Sequence, residues 1–345
     1  MASVRFAELS VPALLEHGRA YYLPALRRAV AGLAAPLDTI VGYHFGWNEA
    51  CGRPVAAGDG GKAVRPTLVL LAARAVGGDP AVAVPGAVAV ELVHNFSLLH
   101  DDFMDRDETR RGRPTAWTVY GPARAVLAGD ALFALASTVL LQAGAPAGRA
   151  LHRLATANCR LIQGQADDLA FEDRDRITVQ ECTNMESGKT AALLTAACAM
   201  GAVLAGADDT TADALGRYGH HLGLAFQAVD DLLGIWGDPA VTGKPRWSDL
   251  HRRKKSLPIC AALADNSPAS RTFAHLLTTP TGQLDERRLA HCADLVEEAG
   301  GRTYTETAAA HHHADALAAL DEVPMPTAVR EHFTTLAAYV LRRDK

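Results

Sequence analysis

Two aspartate clusters stand far apart in the chain, His100-Asp101-Asp102-Phe103-Met104-Asp105 and Phe226-Gln227-Ala228-Val229-Asp230-Asp231, each beside an apolar, helix-like run. Asp101 and Asp105 are four apart, so on a helix they share one face, where like charges repel by a few tenths of a kcal/mol. Hard carboxylate oxygens on one face suit a divalent cation such as Mg2+, which takes one or two carboxylates and completes its shell with substrate phosphates. The first cluster runs into Arg106-Asp107-Glu108-Thr109-Arg110-Arg111-Gly112-Arg113, which sets guanidinium forks suited to phosphate beside the carboxylates. Acid and base together point to diphosphates handled through metal. A solvated acidic helix end is the plainer reading, but Leu98, Leu99, Phe103 and Met104 make an apolar flank, an odd place for unpaired carboxylates.

The elements that must hold these groups are helices. Apolar residues recur at three- and four-residue steps near 12–34, 66–76, 84–104, 123–142, 147–170, 178–205, 210–235, 256–264, 287–299, 305–320 and 327–343, with Gly- and Pro-rich breakers between them. The expectation is a single all-α domain over 1–345: an N-terminal helix and loop (1–60), a motif-bearing core (61–264) and C-terminal helices (265–345). Apolar residues make up 49% of the chain and charged residues 21%, enough for a full core. A net charge of -5 argues against nucleic acid as partner and requires cations to be concentrated locally wherever a polyanion binds. Six cysteines without CxxC spacing read as reduced thiols of a cytoplasmic protein, and no signal-peptide pattern opens the chain. The uncharged stretch from Thr190 to Ala207 has a membrane span's length, but its Ala, Gly, Thr and Cys content reads as a buried helix, so no transmembrane segment is expected.

The order of motifs is itself informative. Glu91 to Asp102, Arg110-Arg111-Gly112, Gly164-Gln165-Ala166-Asp167-Asp168-Leu169, Gly188-Lys189-Thr190, Phe226-Gln227 with Asp230-Asp231, Gly243-Lys244-Pro245 and Lys254-Lys255-Ser256-Leu257-Pro258 resemble the trans-isoprenyl diphosphate synthases, nearest to the geranylgeranyl and farnesyl enzymes. That resemblance implies a helical bundle of the isoprenoid synthase type around a central substrate cavity, and a homodimer. It also implies condensation of isopentenyl diphosphate with an allylic diphosphate. By the same resemblance Asp101, Asp105 and Asp168 hold Mg2+ on the allylic diphosphate with Asp102 in support, and Asp230 with Asp231 holds a further ion, three per site. Arg110, Lys189 and Lys254 grip the allylic diphosphate, and Lys244 follows the second acidic motif as a further substrate-binding residue; Lys62, Arg65, His94 and Arg111 take isopentenyl diphosphate; Thr190 and Gln227 lie near the reacting carbons.

Two positions depart from the family pattern. Gly234 stands where a third aspartate of the second motif is usual, and Ala63 replaces a basic residue between Lys62 and Arg65. Phe96 and Ser97, five and four residues before Asp101, lie about 6–7.5 Å deeper along a helix and are expected to form the floor met by a growing chain. The resemblance makes this pattern a twenty-carbon stop, geranylgeranyl diphosphate. Alternatives are a farnesyl diphosphate synthase, a class I terpene cyclase, or a non-catalytic partner subunit of the same fold.

Other features read more plainly. His311-His312-His313 point in three directions on a helix and do not make one ligand set; Asp208 and Asp209 read as a turn and cap; Trp236 and Trp247 read as packing. The basic end, Leu341 to Lys345, is either a lid or a solvated tail.

Overall fold

The computed structural model describes residues 10–55, 61–242, 245–277 and 285–341. Lys244 and the basic end beyond Leu341 lie outside the described residues. The fold is all-α, with one two-stranded hairpin among the described residues. By contacts the chain forms two compact units interleaved in sequence: 1–156 with 196–216 and 323–332, and 157–195 with 217–322 and 333–345.

In the first unit, α1 (Val11–Ala31), α2 (Leu37–His44), α3 (Val64–Ala75), α4 (Val84–Met104), α5 (Ala116–Tyr120) and α6 (Pro122–Leu141) pack together, with α4 and α6 in the most extensive contact. Leu68 to Ala73 of α3 are buried on every side, so that helix shows little amphipathic pattern. α4 ends where the Asp105 amide donates to the Asp101 carbonyl at 2.8 Å and Arg106 takes a φ of 56°. The reversed chain enters the hairpin β1 (Thr109–Arg110) and β2 (Arg113–Pro114). Its two turn residues, Arg111 and Gly112, both have positive φ, 52° and 73°, the signature of a type I′ turn. The Arg-Arg-Gly-Arg run is therefore a tight hairpin that projects its arginines beside the end of α4.

The second unit holds most of α7 (Ala147–Glu172), α8 (Val179–Glu186), a π-helical turn (Ser187–Ala191) and the start of α9 (Ala192–Leu204). It also holds α10 (Asp209–Trp236) from residue 217, α11 (Pro239–Thr242), α12 (Ser248–Arg252), α13 (Leu257–Ala264), α14 (Pro268–Leu277), α15 (Glu286–Glu298), α16 (Gly301–Ala319) and the end of α17 (Thr327–Leu341). One core cluster gathers Ile235, Leu250, Ile259, Phe273 and Val296, and another Phe171, Met185, Val229 and Leu257. The single helix expected over 178–205 runs from Val179 to Leu204 with the π turn inside it. Thr178 caps α8 in a reciprocal box with Glu181, and Asp208 accepts from the Thr211 amide at 2.8 Å, the cap anticipated there.

Among the described residues three helices are long and apolar enough to cross a membrane by length and composition, Pro80–Met104, Pro122–Leu141 and Val179–Leu204, where only the last region drew attention in the sequence. The apolar windows of the first and third are 67% and 83% buried in the protein, whereas that of Pro122–Leu141 is 39% buried. Leu127 and Leu141 of α6 are each 57% exposed.

Candidate active site

The chemistry-bearing residues fall into two groups, one in each unit. In the first, Asp101 is half-buried and Asp105 exposed at the C-terminal end of α4. The helix dipole is negative there, so two further carboxylates are favourable only with a cation at hand. Asp102 has a different role. It is 2% exposed, and its Oδ1 accepts from Arg110 Nε at 2.5 Å. Burial raises the Asp102 carboxyl against the opposing pull of Arg110. The family resemblance placed Asp102 in support of the metal ligands, and its carboxylate holds the Arg110 guanidinium in place.

Arg111 crowds the same region, and its Nη2 lies so close to Gly61 that a Cβ there would stand 2.9 Å away. Arg19 of α1 donates to the Gly61 carbonyl at 2.6 Å and fixes the segment that carries the exposed Lys62. Arg65 Nη1 approaches His94 Nε2 at 3.5 Å. Burial, then Arg65, Arg111 and Arg110, hold the His94 imidazole well below its ordinary range, so at neutral pH it is an uncharged acceptor for Arg65. Sequence reasoning missed the layer beneath. Glu91 and Asn95 are buried on α4, Asn95 Nδ2 donates to Glu91 Oε1 at 3.1 Å, and Asn95 Oδ1 meets His44 Nε2 at 3.2 Å. Burial and then the two arginines push His44 down to about 3. A glutamate within the apolar run of α4 was the one signal for this layer. A cavity of about 590 Å³ lies in this unit, lined in part by His44, Asp102, Arg110, Arg111 and Arg113. Arg113 is spent on structure, donating to the carbonyls of Tyr43 and Asn48 at 3.2 and 3.0 Å.

In the second unit two glycines explain two motifs. A methyl group at Gly164 would strike the Lys189 amide nitrogen and stand 2.8 Å from the Met185 carbonyl; one at Gly188 would stand 2.6 Å from the Arg160 carbonyl. Backbone thus meets backbone where α7 passes the π turn, a rare element often found at functional sites. The approach brings Lys189 Nζ to 2.5 Å from Asp168 Oδ2. From the same turn the Thr190 hydroxyl donates to Gln227 Oε1 at 2.7 Å, and Gln227 Nε2 donates to Asp231 Oδ1 at 2.7 Å. Asp231 is 1% exposed; its Oδ2 accepts from the Leu257 amide at 2.8 Å, and Lys254 Nζ stands 3.5 Å from Oδ1. Both of its oxygens are taken up by protein donors. Burial alone would lower the Lys254 ammonium, but Asp231, Asp249, Asp230 and Asp168 outweigh it and hold the group well above the usual lysine value. Beneath them burial, and then Asp231, raise the Glu186 carboxyl well above its ordinary value, so it keeps its proton to higher pH than an exposed glutamate does.

Gly234 has a local cause. A Cβ there would collide with the buried carboxylate of Asp249, whose neighbour Ser248 donates to the Gly234 carbonyl at 3.2 Å. Nothing in the local pattern marked Asp249 as a partner of α10.

Phe96 of α4 is buried, its ring centroid 5.1 Å from Phe133 of α6 and 5.0 Å from His100. The Ser97 hydroxyl donates back to the His94 carbonyl at 2.9 Å.

Comparison with known proteins gives these arrangements a family. Residues 54–296 match the family described as polyprenyl synthetase. A (2E,6E)-farnesyl diphosphate synthase of Mycobacterium tuberculosis is 47% identical over 93% of this chain and 90% of its own length. A geranylgeranyl diphosphate synthase of the same organism is also 47% identical, over 96% of this chain and 94% of its own. The crystal structure of a polyprenyl synthetase from Streptomyces coelicolor superposes with a TM-score of 0.92 at 58% identity, covering 96% of this chain and all of that one (100%). With such coverage, and with carboxylates, arginines and lysines grouped as diphosphate chemistry requires, the chain belongs to the polyprenyl synthetase family and is a prenyl diphosphate synthase.

Proposed function

We propose that the protein condenses isopentenyl diphosphate with an allylic diphosphate and stops at geranylgeranyl diphosphate. The observation that carries the reading is the packing of Arg65, Arg110 and Arg111 beside the carboxylates that end α4, in a chain whose net charge is -5. Such a basic cluster needs a polyanion, and such carboxylates need a divalent ion.

Asp101 and Asp105, with Asp168 and Asp230, supply hard oxygens suited to magnesium, three ions per site. Bound magnesium would neutralise charge gathering on the departing diphosphate. Arg110, Lys189 and Lys254 orient that diphosphate and hold it as the allylic C–O bond breaks. Lys62, Arg65, His94 and Arg111 position isopentenyl diphosphate, whose double bond attacks the allylic carbon; the released diphosphate then takes the proton whose loss restores the alkene. Thr190 and Gln227 offer dipoles, not charges, to the cationic carbon. Asp102 and Asp231 serve this machinery as braces, one for Arg110 and one for Gln227 and Lys254.

Phe96 backed by Phe133 is a rigid aromatic pair suited to ending chain growth, and the small Ser97 leaves depth beside it. Equal identity to the farnesyl and geranylgeranyl enzymes keeps a fifteen-carbon product as the second reading. The exposed leucines of α6 support a homodimer, and the reduced-thiol pattern a cytoplasmic setting. The test is incubation of purified protein with Mg2+, isopentenyl diphosphate and dimethylallyl, geranyl or farnesyl diphosphate in turn, with prenyl products read by mass spectrometry. A twenty-carbon product from farnesyl diphosphate is expected. Growth that halts at fifteen carbons would replace the product assignment, and hydrocarbon formed without isopentenyl diphosphate would replace the condensation reading.

A further inference from the structure

α10 carries another chemically distinctive side chain, His221, ten residues before Asp231 and so about 15 Å along the helix axis. His221 Nδ1 faces His312 Nδ1 of α16 at 3.1 Å, and Asp315, one turn further along α16, brings Oδ2 to 3.8 Å from His221 Nδ1. One ligand atom from each of the three residues lies within 4.8 Å of the others. We propose that His221, His312 and Asp315 form a binding site for a borderline divalent transition-metal ion such as zinc, separate from the diphosphate machinery, that ties α10 to α16.

Three considerations carry this. Tetrahedral zinc with bonds of about 2.0–2.1 Å sets its ligand atoms roughly 3.3 Å apart, so 3.1 and 3.8 Å need only small side-chain rotations. The ligand set is two imidazoles and a carboxylate, which favours zinc, cobalt or nickel over magnesium, whereas the aspartate sets offer oxygen alone. Access and charge also fit. Both imidazoles are half-buried while the Asp315 side chain is 58% exposed, which leaves a solvent-facing position for water as fourth ligand. Arg217, a cation that acts on His221, is paired with Glu322 at 2.5 Å. The histidine tract itself is not the ligand set; one of its members joins a residue ninety-one positions earlier.

The experiment uses tag-free, metal-stripped protein dialysed against zinc in a large excess of Mg2+, with bound zinc counted by mass spectrometry. About one zinc per chain is expected, lost in His221→Gln and in His312→Gln and retained in Asp101→Asn and Asp230→Asn. X-ray absorption on the unmutated zinc-loaded protein should show two imidazole scatterers, which keeps the test independent of how the variants fold. The proposal is overturned if the wild type binds no zinc, if the histidine variants keep it, if the aspartate variants lose it, or if the absorption spectrum shows sulfur or only oxygen around the metal.

Discussion

Asp231→Asn separates a brace from a metal ligand. The buried carboxylate accepts from Gln227 Nε2 and the Leu257 amide and faces the Lys254 ammonium. An amide presents one acceptor and one donor, so an NH2 must point at the Leu257 N–H or at the Gln227 and Lys254 side. Loss of a hydrogen bond to a charged acceptor costs about 1.5–3 kcal/mol. Lys254 also loses its nearest counter-charge, but its side chain is 32% exposed, so water screens much of that and about 1 kcal/mol more is the reasonable addition. The sum, about 2.5–4 kcal/mol, corresponds to a Tm lower by roughly 3–6 °C for a chain of this size. Calorimetry gives the Tm, and magnesium titration of prenyl transfer gives the half-saturating concentration. Asp231→Asn should lower the Tm and leave the magnesium dependence near wild type, while Asp230→Asn should raise the magnesium requirement with little change in Tm. If Asp231→Asn moved the Tm by less than about 2 °C and shifted the magnesium curve as far as Asp230→Asn does, the brace argument would be wrong.

Gly164→Ala forces a methyl into the Lys189 backbone, an overpacking of about 1–3 kcal/mol that also parts Lys189 from Asp168; both Tm and the turnover rate should fall, and an unchanged pair would refute the close-approach account. Glu186→Gln tests the buried acid. Between the ordinary glutamate value of 4.5 and its raised native value, the folded chain keeps a proton the unfolded chain has lost, so wild-type stability drains away as pH rises through that window. Urea melts should show the variant gaining on wild type by up to about 1.4 kcal/mol per pH unit above 4.5, with no gain below it. Phe96→Ala removes the ring packed at a tilt against Phe133 and should give products longer than the wild type's by chromatography; an unaltered product would place the floor elsewhere.

Much of the molecule was legible because helix periodicity and short motifs are local. The apolar stretch before Asp101 is α4, whereas the Arg-Arg-Gly-Arg run, read only as guanidiniums beside the carboxylates, proves to be a hairpin whose Gly112 meets the positive φ of a type I′ turn. Motif order also carried the family, since each signature pairs a chemical group with the glycine or helix end that presents it. The π turn at 187–191 was not legible, because the apolar periodicity of a helix reads alike whether one of its turns is α or π.

What the sequence determined by itself is the helical class, the family, and which residue types could meet phosphate or metal. The rest depends on partners distant along the chain. Asp102 and Asp231 look like their motif neighbours in the sequence, yet helix rotation turns them inward onto Arg110 and Lys254, and burial makes them braces. Gly234 looks like a lost aspartate until Asp249 is seen against it, and His312 looks like one of three equivalent histidines until His221 faces it. Local spacing fixes which way a side chain leaves its helix; only packing decides what it meets, and the dielectric and charge it meets there decide its chemistry.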